Sequence, residues 1–133
     1  MVVEDHPLVR MAVLEVMIET GFEALDASSA SGAIRTLEAR PDIRLVFTDA
    51  EMPGTLNGIG LAHYIRKRWP RVKLIVVSGK REIASDELPT GARFFHKPYR
   101  ETSIVEAMIG MLSGSQSHSP IKLNPASEFD GRR

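Results

Sequence analysis

Residues 44–54 read RLVFTDAEMPG. Leu45, Val46 and Phe47 form a continuous apolar run, the texture of a strand covered on both faces. The run leads straight into Asp49, with Glu51 and Met52-Pro53-Gly54 just beyond. A core strand thus ends in a carboxylate.

The pattern around this stretch is a repeated alternation of short apolar runs and longer helical segments. Strands are expected at Met1–Val3, Phe22–Asp26, Arg44–Thr48, Lys73–Val77 and Ala92–Phe95. Helices are expected at Leu8–Thr20, Ser31–Ala39, Gly58–Trp69 and Thr102–Leu112, with a weaker one at Arg81–Leu88. The fourth strand, LIVV, is as continuously apolar as the third. Five strand–helix units in succession predict a doubly wound α/β fold, a five-stranded parallel sheet with five helices. From Ser113 the texture changes to SGSQSHSPIKLNPASEFDGRR, which reads as a flexible tail over 113–133 after a domain spanning 1–112.

The chain of 133 residues, 43% hydrophobic, suffices for one domain with one core. Seventeen basic residues balance seventeen acidic ones, so net charge points to neither nucleic acid nor a membrane surface. The absence of cysteine excludes disulfides and thiolate metal sites, and a reducing cytoplasm is the simpler setting. No apolar run approaches the roughly 20 residues of a membrane span, and no signal-peptide pattern opens the chain.

Polar residues collect at the strand ends: Glu4 and Asp5 after the first, Asp49 on the third, Ser78-Gly79 on the fourth and Lys97-Pro98 on the fifth. In open α/β sheets, sites form outside the strand C-termini where strand order reverses. With the order 2-1-3-4-5, strands one and three are neighbours about 4.8 Å apart, which brings Asp5 to face Asp49. Ser78 follows one strand along and Lys97 one further. Clustered carboxylates repel unless a proton or a cation relieves them. Oxygen donors alone suit Mg²⁺, which keeps several waters and takes one or two carboxylates. Carboxylate, metal, lysine and hydroxyl together describe a receptacle for a phosphoryl group.

Four stretches, VVEDHP (2–7), FTDAEMPG (47–54), VVSG (76–79) and FFHKPY (94–99), stand in this order on the matching strand ends. In this the chain resembles the receiver domains of response regulators, the phosphorylatable units of two-component signalling, which share a flavodoxin-like fold. The resemblance implies Asp49 as the phosphoacceptor, with Lys97 pairing with phosphoryl oxygens and Ser78 hydrogen-bonding one of them. It implies Mg²⁺ held directly by Asp5 and Asp49, by Glu4 through water and by the Glu51 backbone carbonyl. It implies a cis Lys97-Pro98 peptide, and Phe94 where many relatives carry a tyrosine. The partner it implies is a histidine kinase or histidine phosphotransfer protein, in the cytoplasm, with no nucleic acid or membrane contact through this domain. The chain is then not an enzyme in its own right.

Residue by residue, plainer readings exist. Asp5 before Pro7 suits a helix entrance, Ser78-Gly79 a turn and Lys97-Pro98 a loop. Their joint placement favours the site. Arg66-Lys67-Arg68 reads as a solvated helix end, where cations favour the dipole, and His6, His63 and His96 as surface residues. In the first helix, Val9, Val13 and Val16 form a stripe for the sheet. Met11, Leu14 and Ile18 then form a second apolar stripe, expected to dock the partner's helical bundle.

Three departures from the family pattern stand out. The first strand is short, with Met1 three positions before Glu4, as in a chain with a trimmed or misplaced start. The loop through MPGTLNGIG is longer than usual. The fourth helical segment is a few residues short and interrupted by Pro89, which argues against a dimer on that surface and leaves the oligomeric state open. Glu51 and Lys80 flank the site and are candidates to pair above it. Two other functions compete: a receiver excised from a hybrid histidine kinase or a longer response regulator, and a phosphohydrolase using Asp49 as nucleophile with Glu51 as general acid.

Overall fold

The protein is described from a computed structural model covering residues 1–80 and 82–114. The chain runs β1 (Val2–Val3), α1 (Pro7–Thr20), β2 (Asp26–Ala27), α2 (Ala30–Ala39), β3 (Leu45–Asp49), α3 (Gly58–Arg68), β4 (Lys73–Ser78), a 3₁₀ turn (Ser85–Glu87), β5 (Arg93–His96) and α4 (Glu101–Gly114). The five strands make one sheet in the order β2-β1-β3-β4-β5, and every pairing is parallel. Both features match the order and fold class expected from the sequence.

Alternation along β3 and β4 explains why their sequences are apolar throughout. Leu45, Phe47, Ile75 and Val77 face one side of the sheet, where Met17 of α1 and Ile104, Ala107 and Met108 of α4 cover them. Val46, Leu74 and Val76 face the other, under Ala33 and Leu37 of α2 and Leu61 and Ile65 of α3. Each side chain leaves water whichever way it points, so no polar face is needed.

Local chemistry sets the helix ends. Pro7 occupies the first turn of α1, where its missing N–H costs nothing, and Gly21 closes the helix at φ 106°. Ser29 Oγ accepts from Gly32 N at 3.1 Å to start α2, and Asn57 Oδ1 accepts from Gly60 N at 2.9 Å to start α3.

Three expectations are corrected. The fourth helix does not form: among the described residues of that segment only the 3₁₀ turn Ser85–Glu87 is helical, giving four α-helices instead of five. The chain here is short and Pro89 closes it, so Ile83 and Leu88 bury directly against the α3 side of the sheet. Strand β2 is confined to Asp26–Ala27, because it pairs only with the two residues of β1, Val2↔Asp26 and Val3↔Ala27. In α1 the inward face runs through Val13, Leu14 and Met17, while Val9 is exposed. Leu14 therefore belongs to the core side, whereas Met11 and Ile18 are 62% and 55% exposed. Helix α4 extends to Gly114; the rest of the expected tail lies outside the described residues. No helix among the described residues is long and apolar enough to cross a membrane.

Candidate functional site at the strand ends

The parallel register decides which residues meet. Val3 pairs with Thr48, Asp49 with Val77 and Ser78 with His96. Asp49 and Ser78, the last residues of β3 and β4, and Glu4 and Lys97, just past β1 and β5, thus emerge at one edge of the sheet. The start of α3 closes in on this edge: Gly58 N donates to Ala50 O at 3.0 Å, and a Cβ on Gly58 would lie 1.7 Å from Asp49 O. Only glycine allows the helix to approach so near.

Asp49 is 5% exposed and held from two directions. Lys97 Nζ donates to its Oδ2 at 2.7 Å, and the Glu51 backbone N–H donates to its Oδ1 at 3.0 Å. The Lys97-Pro98 peptide is cis, as the resemblance implied. Glu4, 4% exposed, takes an N–H from His6 at 3.0 Å on Oε2, and its Oε1 lies 3.9 Å from Lys97 Nζ.

Electrostatics follow from one cation serving two buried acids. Burial is the main reason that the Glu4 carboxyl is pushed up to about 7; the neighbouring Asp49 adds to it, while the His6 N–H and Lys97 oppose it. Burial pulls the Lys97 ammonium down, but the hydrogen bond and charge of Asp49, with Glu4, hold it above the ordinary lysine value.

Ser78 is fully buried, and its hydroxyl donates to Glu51 Oε2 at 2.5 Å. Glu51 therefore engages Ser78 and not Lys80, which contributes only its backbone N–H to Ser78 Oγ at 3.4 Å. Asp5 stands apart from the buried group: it is exposed, and its carboxylate has no hydrogen-bond or ion-pair partner among the described residues. The structure thus gathers Glu4, Asp49 and Lys97, joins Ser78 to Asp49 through Glu51, and leaves Asp5 exposed outside these contacts.

Two site residues carried little signal in the sequence. Arg10 donates to the Glu4 backbone carbonyl at 2.9 Å and to Asp26 Oδ2 at 3.0 Å, tying α1 to the ends of β1 and β2. Its mark was a cation on the helical line of Val13 and Met17. Tyr99 sets its ring edge-on to Phe47, with centroids 6.1 Å apart, under the Asp49 end of β3.

The resemblance to receiver domains implies Mg²⁺ at this site. All candidate donors are oxygens, and two buried carboxylates share one lysine, which leaves negative charge for a hard cation to offset. Among the described residues no three His, Asp or Glu side chains are gathered into a ready-made cage. Mg²⁺ needs none, since it keeps several waters and takes only one or two carboxylates. The residues fit the ion.

A doubly wound sheet that brings a buried aspartate, a second acid, a lysine and a serine to one crevice defines a flavodoxin-like domain with a charged site at its strand ends. The model of the response regulator receiver domain matches residues 1–109, and the chain belongs to that family. Response regulator protein FleR of Pseudomonas aeruginosa is 30% identical over 134 residues, which cover 96% of this chain and 28% of FleR. Nitrogen assimilation regulatory protein NtrX of Azorhizobium caulinodans is 29% identical over 109 residues, covering 79% of this chain and 24% of NtrX. The crystal structure of the NtrX receiver domain from Brucella abortus matches with a TM-score of 0.76 at 28% identity, over 84% of this chain and 96% of that one. The chain spans about a quarter of the length of these curated relatives.

Proposed function

We propose that the chain is a phosphoacceptor in a two-component relay, taking a phosphoryl group from a phosphohistidine onto Asp49 and changing its partner binding as a result. The observation that carries this reading is Lys97 Nζ at 2.7 Å from the carboxylate of a buried Asp49, with Glu4 beside both. A buried acid so prepared is a nucleophile aimed at the crevice, with a cation already beside it.

In this reading one Asp49 oxygen attacks phosphorus in line. The P–N bond to the donor histidine breaks, and the histidine nitrogen keeps the electron pair. Lys97 moves its ammonium from the carboxylate to the phosphoryl oxygens, offsetting the charge that opposes approach. The Glu51 N–H holds Asp49 Oδ1, which leaves Oδ2 to react once Lys97 shifts. Glu4 and Asp49, with Asp5 and the Glu51 carbonyl, would hold Mg²⁺. The ion, when bound, would supply further charge neutralisation on the phosphoryl group.

The donor is a histidine kinase or histidine phosphotransfer protein, docking on α1. Exposed Met11 and Ile18 support this, as does an apolar groove of about 290 Å³ between α1 and α4, lined by Leu8, Val9, Val16, Tyr99, Ile104 and Val105. The same reading holds for a receiver acting alone and for one inside a longer response regulator or hybrid kinase. A phosphohydrolase fits less well, because the Glu51 carboxylate it needs as general acid is taken by Ser78. Intact mass after incubation with Mg²⁺ and a small acyl phosphate, with and without Asp49→Asn, tests the reading.

A further inference from the structure

The side chain of Glu51 has no task in the reading above, yet it accepts the shortest side-chain hydrogen bond among the described residues, 2.5 Å from Ser78 Oγ. An O–H given to a carboxylate at this length is charge-assisted and roughly twice as strong as a neutral bond. A serine hydroxyl has one proton to donate. While Glu51 holds it, Ser78 has nothing to offer an anion on Asp49. The same residue reaches Asp49 through its main chain, at 3.0 Å from Oδ1. Glu51 thus touches both the acceptor carboxylate and the hydroxyl.

We propose that Glu51 is a latch on Ser78: in the unmodified domain its carboxylate holds the Ser78 hydroxyl, and a phosphoryl group on Asp49 must win that hydrogen bond from it. The inference rests on Asp49 being the phosphoacceptor. A phosphoryl group brings several anionic oxygens next to Asp49, so it both attracts the Ser78 proton and repels the Glu51 carboxylate. Glu51 is a positioning residue through this side chain, setting how far Ser78 rests from its bonded-to-phosphoryl arrangement. Ser78 is fully buried, and its hydroxyl exchanges one anion for the other.

A double-mutant cycle tests the latch. Rates of adduct formation with Mg²⁺ and a small acyl phosphate are compared for wild type, Glu51→Ala, Ser78→Ala and the double variant. Glu51→Ala is expected to react about tenfold faster than wild type, equivalent to about 1.4 kcal/mol, with no such gain in the Ser78→Ala background. A gain that persists in that background would mean that Glu51 acts only by its charge on the incoming anion, and overturns the latch. Equal rates for Glu51→Ala and wild type overturn it too. Without any phosphodonor, scalar couplings are expected to give Ser78 a single χ1 rotamer in wild type and Glu51→Gln, and averaged rotamers in Glu51→Ala. A single unchanged rotamer in all three removes the latch. Should wild type form no adduct, the phosphoacceptor reading falls while the rotamer measurement still decides whether Glu51 holds Ser78. If Glu51→Ala does not fold, Glu51→Gln takes its place in the cycle, with a smaller gain in the same direction expected and no gain contradicting the latch.

Discussion

Lys97 Nζ lies 2.7 Å from Asp49 Oδ2 across 48 positions of sequence, joining the end of β5 to the end of β3 over the intervening β4. It is also 3.9 Å from Glu4, so one ammonium serves two buried acids. Replacing it leaves both without their cation and leaves an incoming phosphoryl group facing uncompensated charge. Lys97→Ala is expected to slow adduct formation on Asp49 by about a hundredfold, the scale of removing one electrostatic contact to a reacting oxyanion. Timed intact-mass measurements with a small acyl phosphate check this, and a rate within threefold of wild type would refute it.

Glu4 makes stability depend on pH with an unusual sign. Its carboxyl ionises at about 7 in the folded chain, against an ordinary value of 4.5, chiefly because it is buried. Between those values folded Glu4 holds a proton that the unfolded chain has released, so its contribution to stability falls as pH rises through the window. A divalent cation prefers the ionised carboxylate, so the stabilisation it gives should grow as pH passes about 7. Melting temperatures at pH 5 and 6 without metal, and the shift caused by Mg²⁺ at pH 6 and 8, test the two slopes. Glu4→Gln is expected to flatten the metal-free slope, and an unchanged slope would remove Glu4 as its cause.

Gly58 lets α3 approach the Asp49 peptide. A methyl group there meets backbone at 1.7 Å, which no side-chain adjustment relieves. Gly58→Ala should lose stability at or above the upper end of the about 1–3 kcal/mol typical of overpacking, and should slow phosphorylation by shifting Asp49. Gly110→Ala, where nothing lies within 4 Å, is the control and should be neutral or stabilising. Denaturant melts of the two variants that coincide would contradict this account of α3.

The proposed docking face on α1 separates transfer from chemistry. Met11 and Ile18 are exposed on α1 and make no contribution to the site. Met11→Asp and Ile18→Asp are expected to accept phosphoryl from a small donor as wild type does, but at least about tenfold more slowly from a phosphohistidine protein, the loss of about 1.4 kcal/mol of contact. Leu14→Asp, by contrast, should lower the melting temperature, because Leu14 packs on the core. Normal transfer by both exposed-residue variants would move the docking surface elsewhere.

The sheet was legible because LVF and LIVV lack any polar alternation, and only strands covered on both faces tolerate that. The meeting of Glu4, Asp49, Ser78 and Lys97 was legible because they fall at strand ends, which parallel register brings together whatever the loops do; Asp5, expected to face Asp49, is instead exposed and outside their contacts. The inward face of α1 was not. Apolar residues surround most of that helix, so periodicity could not choose between a stripe through Val9 and one through Met17. The weak fourth helix failed where local propensity met a short span closed by Pro89, and burial of Ile83 and Leu88 prevailed. The reach of the Glu51 side chain to Ser78, 27 positions away, has no local signal at all.

Intact mass of the protein after incubation with Mg²⁺ and a small acyl phosphate bears most directly on the role of Asp49. The account predicts a gain of one phosphoryl group in wild type and none in Asp49→Asn. No gain in wild type, or the same gain in the Asp49→Asn variant, would contradict it.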